Sequence, residues 1–186
     1  MTETTTQDPQ PQDAAGVGEL WRRYSGQVAG YLRAHGVRDV DDVTSEVFLA
    51  VCRGIRRFDG DGMAFRAWLF TIAHHRVVDE VRRAARAAEI HRYDVDSDPR
   101  SVVSAEDSAL EALSNQEIRA LLVVLTPEQR DVLLLRFVAD LAVDQCAAVM
   151  SRSPEAVKKL QRRAIVRLRR ELDAATSDAT PRPSQP

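Results

Sequence analysis

Cysteine is almost missing from this chain. Cys52 and Cys146 are its only two, and their wide separation indicates neither a CxxC metal site nor a disulfide framework. Each sits in an apolar helical pattern and is expected to be a buried thiol. Aromatic residues make up 5% and no strand pattern is evident, which points away from a sheet-based core. No apolar run reaches the roughly 18 residues of a membrane span. The opening MTETTTQDPQPQDAAG has neither a basic n-region nor an apolar h-region, so the expectation is a cytoplasmic protein without a secretory signal.

Signs of catalysis are missing too. There is no Gly-rich phosphate loop, no nucleophile motif and no acid pair, so neither an enzyme nor a bound cofactor is expected. The Asp-Gly alternation of RFDGDGMAF lacks the later ligand positions and the bidentate Glu of a calcium loop, and reads as a turn. His74 and His75 are adjacent and diverge by about 100° on a helix, which does not suit a shared metal ion.

What is present is clustered positive charge. The formal charge is only −2, yet 24 of the 26 basic residues are Arg. Arg53 to Arg86 holds eight Arg against four acids, and Arg152 to Arg170 holds eight basic residues against Glu155 alone. Between them, Glu89 to Glu117 holds eight acids against Arg92 and Arg100. Two basic surfaces flanking an acidic connector suggest a polyanion gripped at two places.

Helical periodicity orders the rest. Residues 1–16 are polar and aperiodic and are expected to be a disordered tail. Leu20, Trp21, Tyr24, Val28, Tyr31 and Leu32 form one helical face ending at Gly36, with Trp21 expected as a core anchor. Asp39 is placed to cap a second helix with the stripe Val40, Val43, Val47, Val51 and Ile55. After the RFDGDGMAF loop, a long helix starting near Ala64 carries the apolar stripe Phe65, Trp68, Leu69, Ile72, Ala73, Val77 and Val81. Its later turns carry His74, His75, Arg76, Arg82, Arg83 and Arg86, expected along the polar surface. Residues 89–103 read as a linker between two domains, and Ser104 is placed to cap a helix running to Leu125. Thr126-Pro127-Glu128-Gln129 is a capping box with Pro at the first helical position, opening a helix through Phe137. Asp140 to Met150 reads as a short helix, Ser151-Arg152-Ser153 as a tight turn, and Pro154-Glu155 as the start of a basic helix. That is a helix-turn-helix, with Ala147 as the small residue at the crossing and Val149, Val157 and Leu160 closing the seam. In a major groove, Arg152, Glu155, Ala156, Lys159 and Arg163 are placed to reach base edges or phosphates. Residues 173–186 are expected to be a second disordered tail.

From about Leu20 to Leu172 the order of parts resembles the extracytoplasmic-function (ECF) group of bacterial RNA polymerase sigma factors of the sigma-70 family. DVTSEVFLAV and RFDGDGMAFRAWLFTIAHHRVVDEVRR are similar to regions 2.2 through 2.4. LTPEQRDVLLLRFVADLAVDQCAAVMSRSPEAVKKLQRRAIVRLRREL is similar to region 4. The resemblance implies an all-α chain of two small helical domains, sigma region 2 (17–88) and sigma region 4 with the helix-turn-helix (104–172), joined by a flexible acidic linker. It implies that Asp42, Glu46, Val47 and Phe48 dock on core RNA polymerase. Phe58, Asp59, Gly60, Asp61, Met63, His75, Arg76, Arg82 and Arg83 would hold the melted minus-ten strand, His75 standing where Asn is usual. Arg152, Ser153, Glu155, Ala156, Lys158, Lys159, Arg162 and Arg163 would read the duplex minus-thirty-five element. An anti-sigma factor is an implied further partner. Departures from the pattern are Ser151 for the usual Gly of the turn, Gln145 for a frequent Glu, and Ala142 for a capping Ser or Thr, which should loosen the start of that helix. The alternatives are a helix-turn-helix regulator that acts without polymerase and a helical adaptor that never touches nucleic acid.

Overall fold

The computed structural model describes residues 14–91 and 121–178. All regular structure among the described residues is helical. Helix α1, Ala14–Ala34, begins inside the stretch expected to be a tail. Its Leu20, Tyr24, Val28, Tyr31 and Leu32 are buried at helical spacing. Gly36, at φ 76°, ends it: the amides of Gly36 and Val37 return to the carbonyls of Arg33 and Leu32 at 2.9 and 3.2 Å. Trp21 is not the core anchor expected, since it is 40% exposed and meets the buried Phe48 edge-on at 4.7 Å.

Helix α2, Val40–Gly54, buries Val43, Val47, Phe48 and Val51. Asp39 stands at its N-cap but makes no side-chain cap bond. Cys52 is exposed, contrary to expectation, because it lies one residue around the helix from the inward-facing Val51. After the 3₁₀ turn Ile55–Arg57, helix α3 runs from Gly62 to His91, starting earlier and ending later than the sequence suggested. Residues 89–91 are therefore helix and not linker. Asp61 caps it, its carboxylate accepting from the Ala64 amide at 2.8 Å. Phe65, Leu69, Phe70, Ala73 and Val77 are buried, but Val81 is 58% exposed, because the helix has by then run past its supporting core. Phe58 stacks on Trp68 at 5.1 Å and meets Phe65 edge-on at 5.7 Å. This cluster leaves no room for a side chain at Gly60, whose Cβ would lie 2.8 Å from Phe58 and 2.9 Å from Ala64.

The second unit opens as the capping box predicts. Thr126 Oγ1 accepts from the Gln129 amide at 3.3 Å, and Gln129 Oε1 accepts from the Thr126 amide at 3.1 Å, fixing the start of α4, Pro127–Phe137. Val132, Leu133, Leu134 and Leu135 are all buried, whereas Phe137 is 69% exposed. The expected helix from Asp140 starts only at Val143 (α5, Val143–Val149), because Asp140 takes φ 51° and turns the chain so that Leu141 is buried. At Ala142, Gln145 Oε1 accepts the backbone amide at 2.8 Å, but alanine has no oxygen with which to reciprocate. Only half of a capping box forms. Helix α6, Pro154–Asp178, extends well past residue 173, where a tail was expected. The α5–α6 seam is as anticipated: Ala147, Val149 and Val157 are buried and Leu160 packs against them partly buried. Residues 1–13, the expected linker from 92 and the helix expected from Ser104 to 120 lie outside the described residues.

The turn between α5 and α6 has the two bonds of a Schellman motif, Ser151 amide to Ala148 at 3.2 Å and Arg152 amide to Ala147 at 2.9 Å. It holds Ser151 at φ 51°, in the left-handed region that glycine adopts without steric cost. Ser151→Gly should therefore stabilise the protein by about 0.5–1 kcal/mol. Urea unfolding checks this; an unchanged or lower midpoint would show that the turn carries no such strain.

Candidate nucleic-acid interface

The helix-turn-helix presents α6 with its apolar positions turned inward and a row of cations outward. Lys158, Lys159, Arg162 and Arg163 are exposed, and Ala156 is half-buried beside them. Ser153 caps the helix, its hydroxyl accepting from the Ala156 amide at 3.2 Å. Arg152 pairs with Glu128 at 2.7 Å, tying the turn to the start of α4. Glu155 and Lys158 pair at 2.9 Å, and this hydrogen bond holds the Glu155 carboxyl below its usual range and the Lys158 ammonium above its own. Lys159, Arg162 and Arg163 have no ion pair among the described residues. Arg162 and Arg163 also line an open groove of about 560 Å³ with Val166, Arg167, Arg170 and Glu171. The basic stretch was legible to Arg170, but the residues assigned to DNA ended at Arg163. The spacing of Arg163, Arg167 and Arg170 was the signal that the basic face extends two further turns.

The other basic surface is the outer side of α3. His75, Arg82, Arg83 and Arg86 are exposed, while Arg76 is half-buried and 3.6 Å from Glu46 on α2. Arg83 pairs with Glu80 one turn earlier. Asp59 and Met63 are exposed at the head of α3, Gly60 is half-buried, Asp61 is occupied as the helix cap, and Phe58 is committed to the aromatic cluster. On α2, Asp42 and Glu46 are exposed beside Leu49, which is 54% exposed, whereas Val47 and Phe48 lie in the core. The helical period that puts the two carboxylates outward turns the two apolar side chains inward.

Residues 20–87 match the family Sigma-70 region 2, and residues 121–170 match Sigma-70, region 4. The chain is 35% identical over 159 residues to the ECF RNA polymerase sigma factor SigD of Mycobacterium tuberculosis, covering 82% of this chain and 72% of SigD. It is an ECF sigma factor. The ECF sigma factor BldN of Streptomyces coelicolor is 36% identical over 163 residues, covering 87% of this chain and 62% of BldN, so the chain spans under two thirds of that relative's length. Among solved structures, CnrH in complex with the cytosolic domain of CnrY superposes with a TM-score of 0.65 at 25% identity, covering 89% of this chain and 92% of CnrH.

Within region 2 the structure separates the two histidines that adjoin in sequence. His75 is exposed, while His74 is mostly enclosed and its Nδ1 lies 3.0 Å from the Tyr31 hydroxyl. Burial pushes the Tyr31 phenol well above its usual pKa, so it stays neutral and donates. Burial lowers the His74 pKa, with His35 and His75 adding to the effect and Asp131 opposing it, so His74 stays neutral and accepts. The folded His74 thus gives up its proton at lower pH than the unfolded chain, where the value is about 6.5. Below that pH the unfolded state binds more protons, and stability falls as pH falls; above it His74 contributes no pH dependence. His74→Gln, which keeps an acceptor for Tyr31, should flatten the loss of stability between about pH 6.5 and 5. Denaturant unfolding across this range checks it, and parallel slopes for the two proteins would contradict the assignment.

Proposed function

We propose that this chain binds core RNA polymerase and directs promoter-specific transcription initiation, region 2 holding the opened minus-ten strand and region 4 the duplex minus-thirty-five element. The observation that carries the reading is the presence of two Arg-rich helical faces of different build on the two family-matched regions. A strand with unstacked bases needs a polar pocket beside cations that follow its backbone. The α3 face offers exposed His75 beside Arg76, with Arg82 and Arg83 further along. Duplex DNA admits a helix into its major groove, and α6 offers Lys159, Arg162 and Arg163 behind a capped N-terminus. Asp42 and Glu46, with Leu49, form the polymerase-facing patch, which Val47 and Phe48 support from inside. Among the minus-ten residues, Phe58, Gly60 and Asp61 act by shaping the loop that presents Asp59 and Met63. CnrH has been solved with the cytosolic domain of CnrY, which supports a protein partner for this chain too; the partner class the family resemblance implies is an anti-sigma factor. The protein works in the cytoplasm and performs no chemistry of its own.

Purified protein with core polymerase on a genomic promoter library should give promoter-directed transcripts that core alone does not. Tight duplex binding by the protein alone, without core-dependent transcripts, would instead identify a helix-turn-helix regulator. In the same assay His75→Ala should shift minus-ten base preference while changing stability by no more than the ~0.5 kcal/mol usual for an exposed position. Unchanged preference with a large fall in thermal midpoint would place His75 in the scaffold.

A further inference from the structure

From Arg152 to Arg170 the chain sets eight basic residues against one acid, Glu155. Periodicity puts that acid where α6 meets DNA first. At about 100° per residue, Glu155, Lys159, Arg162 and Val166 point within roughly 30° of the direction opposite the buried Val157 and Ala164. Glu155 is the first of the four along the helix, one residue after Pro154 and two after the Ser153 cap. Its side chain is 72% exposed, and Lys158, one turn on, donates to it at 2.9 Å. That hydrogen bond holds the carboxyl below its usual range, so the group stays ionised and only accepts. A first-turn acid suits the helix dipole, and an acid–lysine pair at this spacing stabilises a helix slightly. Neither effect requires the carboxylate to stand at the centre of the face that approaches a polyanion, where it repels phosphate.

What a carboxylate can bind in a major groove is limited. Base edges there offer donors at cytosine N4 and adenine N6 only. Adenine N6 is flanked by two acceptors, adenine N7 and thymine O4, and both repel a carboxylate. Cytosine N4 has one acceptor beside it, guanine O6. The Lys158 ammonium fits that arrangement. The hydrogen bond that joins guanine O6 to cytosine N4 is about 2.9 Å long, and Lys158 Nζ lies 2.9 Å from Glu155 Oε1. Laid edge to edge, the two couples alternate in charge: Nζ donates to guanine O6 and N7, and Oε1 accepts the N4 hydrogen that base pairing leaves free. Against an A·T pair the same couple meets an acceptor on each side of the donor, and one of them always faces the carboxylate.

We propose that Glu155 and Lys158 together read one G·C pair of the minus-thirty-five element, Glu155 taking the cytosine and Lys158 the guanine. The inference rests on the assignment of α6 to that duplex, and its test separates the two. Core polymerase with the full chain is given a promoter library randomised across the minus-thirty-five element, and the transcribed templates are sequenced. The wild type should prefer G·C over A·T about tenfold at one position, within the range of a good base-edge contact. Glu155→Gln should switch that position to A·T, because a carboxamide pairs with adenine N6 and N7, and leave the other positions as they are. Lys158→Ala should weaken the G·C preference without switching it. Circular dichroism checks that the variants fold; if Glu155→Gln does not, Glu155→Ala decides, with the preference lost at that position alone. Unchanged preference in a folded Glu155 variant would leave the carboxylate as a helix-terminal charge and overturn the inference. So would a gain on every template alike, the mark of a repulsive charge removed, or a wild type without a G·C preference at any position. Full preference in Lys158→Ala would overturn the pairing of the two residues. Absence of core-dependent transcripts from every template is a different failure, that of the promoter reading, and takes this inference with it.

Discussion

A phenol cut off from water has to be given a hydrogen-bond partner, and Tyr31 is fully buried. Its hydroxyl donates to His74 on α3, its carbonyl accepts from His35, and its ring packs against Phe70 at 5.6 Å and His35 at 4.4 Å. His35 in turn reaches Asp131 in region 4. One residue on α1 therefore fixes the rotation of α3, the rotamer of the histidine that ends its own helix, and the place where the second region touches the first. The rotation of α3 decides which residues face outward. With His74 turned toward Tyr31, the next residue around, His75, is left on the surface among arginines.

The parts of the fold legible in the sequence are those set by local rules. Thr126-Pro127-Glu128-Gln129 satisfies its own backbone donors within four residues, so the start of α4 could be read without knowing what packs on it. Gly36 and the α5–α6 crossing at Ala147 were legible for the same reason. Where helices end was less so. Val81 continues the spacing of Val77 without continuing its burial, because burial depends on the length of α1 and α2 beneath α3 and not on α3 itself. Phe137 and Trp21 are exposed for another reason: buried residues flank both in sequence, Leu135 and Ala139 around one and Leu20 and Tyr24 around the other, so angular position on the helix turns them outward. The turn at Asp140 was hidden because an Asp at positive φ looks, in sequence, like an Asp opening a helix.

The candidate site divides along the same line. Position on a helix face was readable for Lys159, Arg162, Arg163 and His75, since periodicity decides exposure. Engagement was not, because it depends on tertiary neighbours. Arg152 is held by Glu128, Arg76 lies beside Glu46, and Asp61 is consumed as a cap. Cations already paired inside the protein lose part of what they can give a phosphate, since the internal pair must be broken or shared first. Lys159, Arg162 and Arg163, without an ion pair among the described residues, are where duplex affinity should concentrate, and they continue into the groove that Arg167 and Arg170 line.

One hydrophobic core continues through both regions, and polar contacts lie beside it where they meet. Phe58, Phe65 and Trp68, or Val149 against Val157, are apolar contacts whose loss would expose core. Those polar contacts are the His35–Asp131 hydrogen bond, an Arg pair whose Asp140 side is 81% exposed, and one amide bridge. An exposed pair contributes about 0–1 kcal/mol, and charges that separate into water recover the hydration that burial cost them.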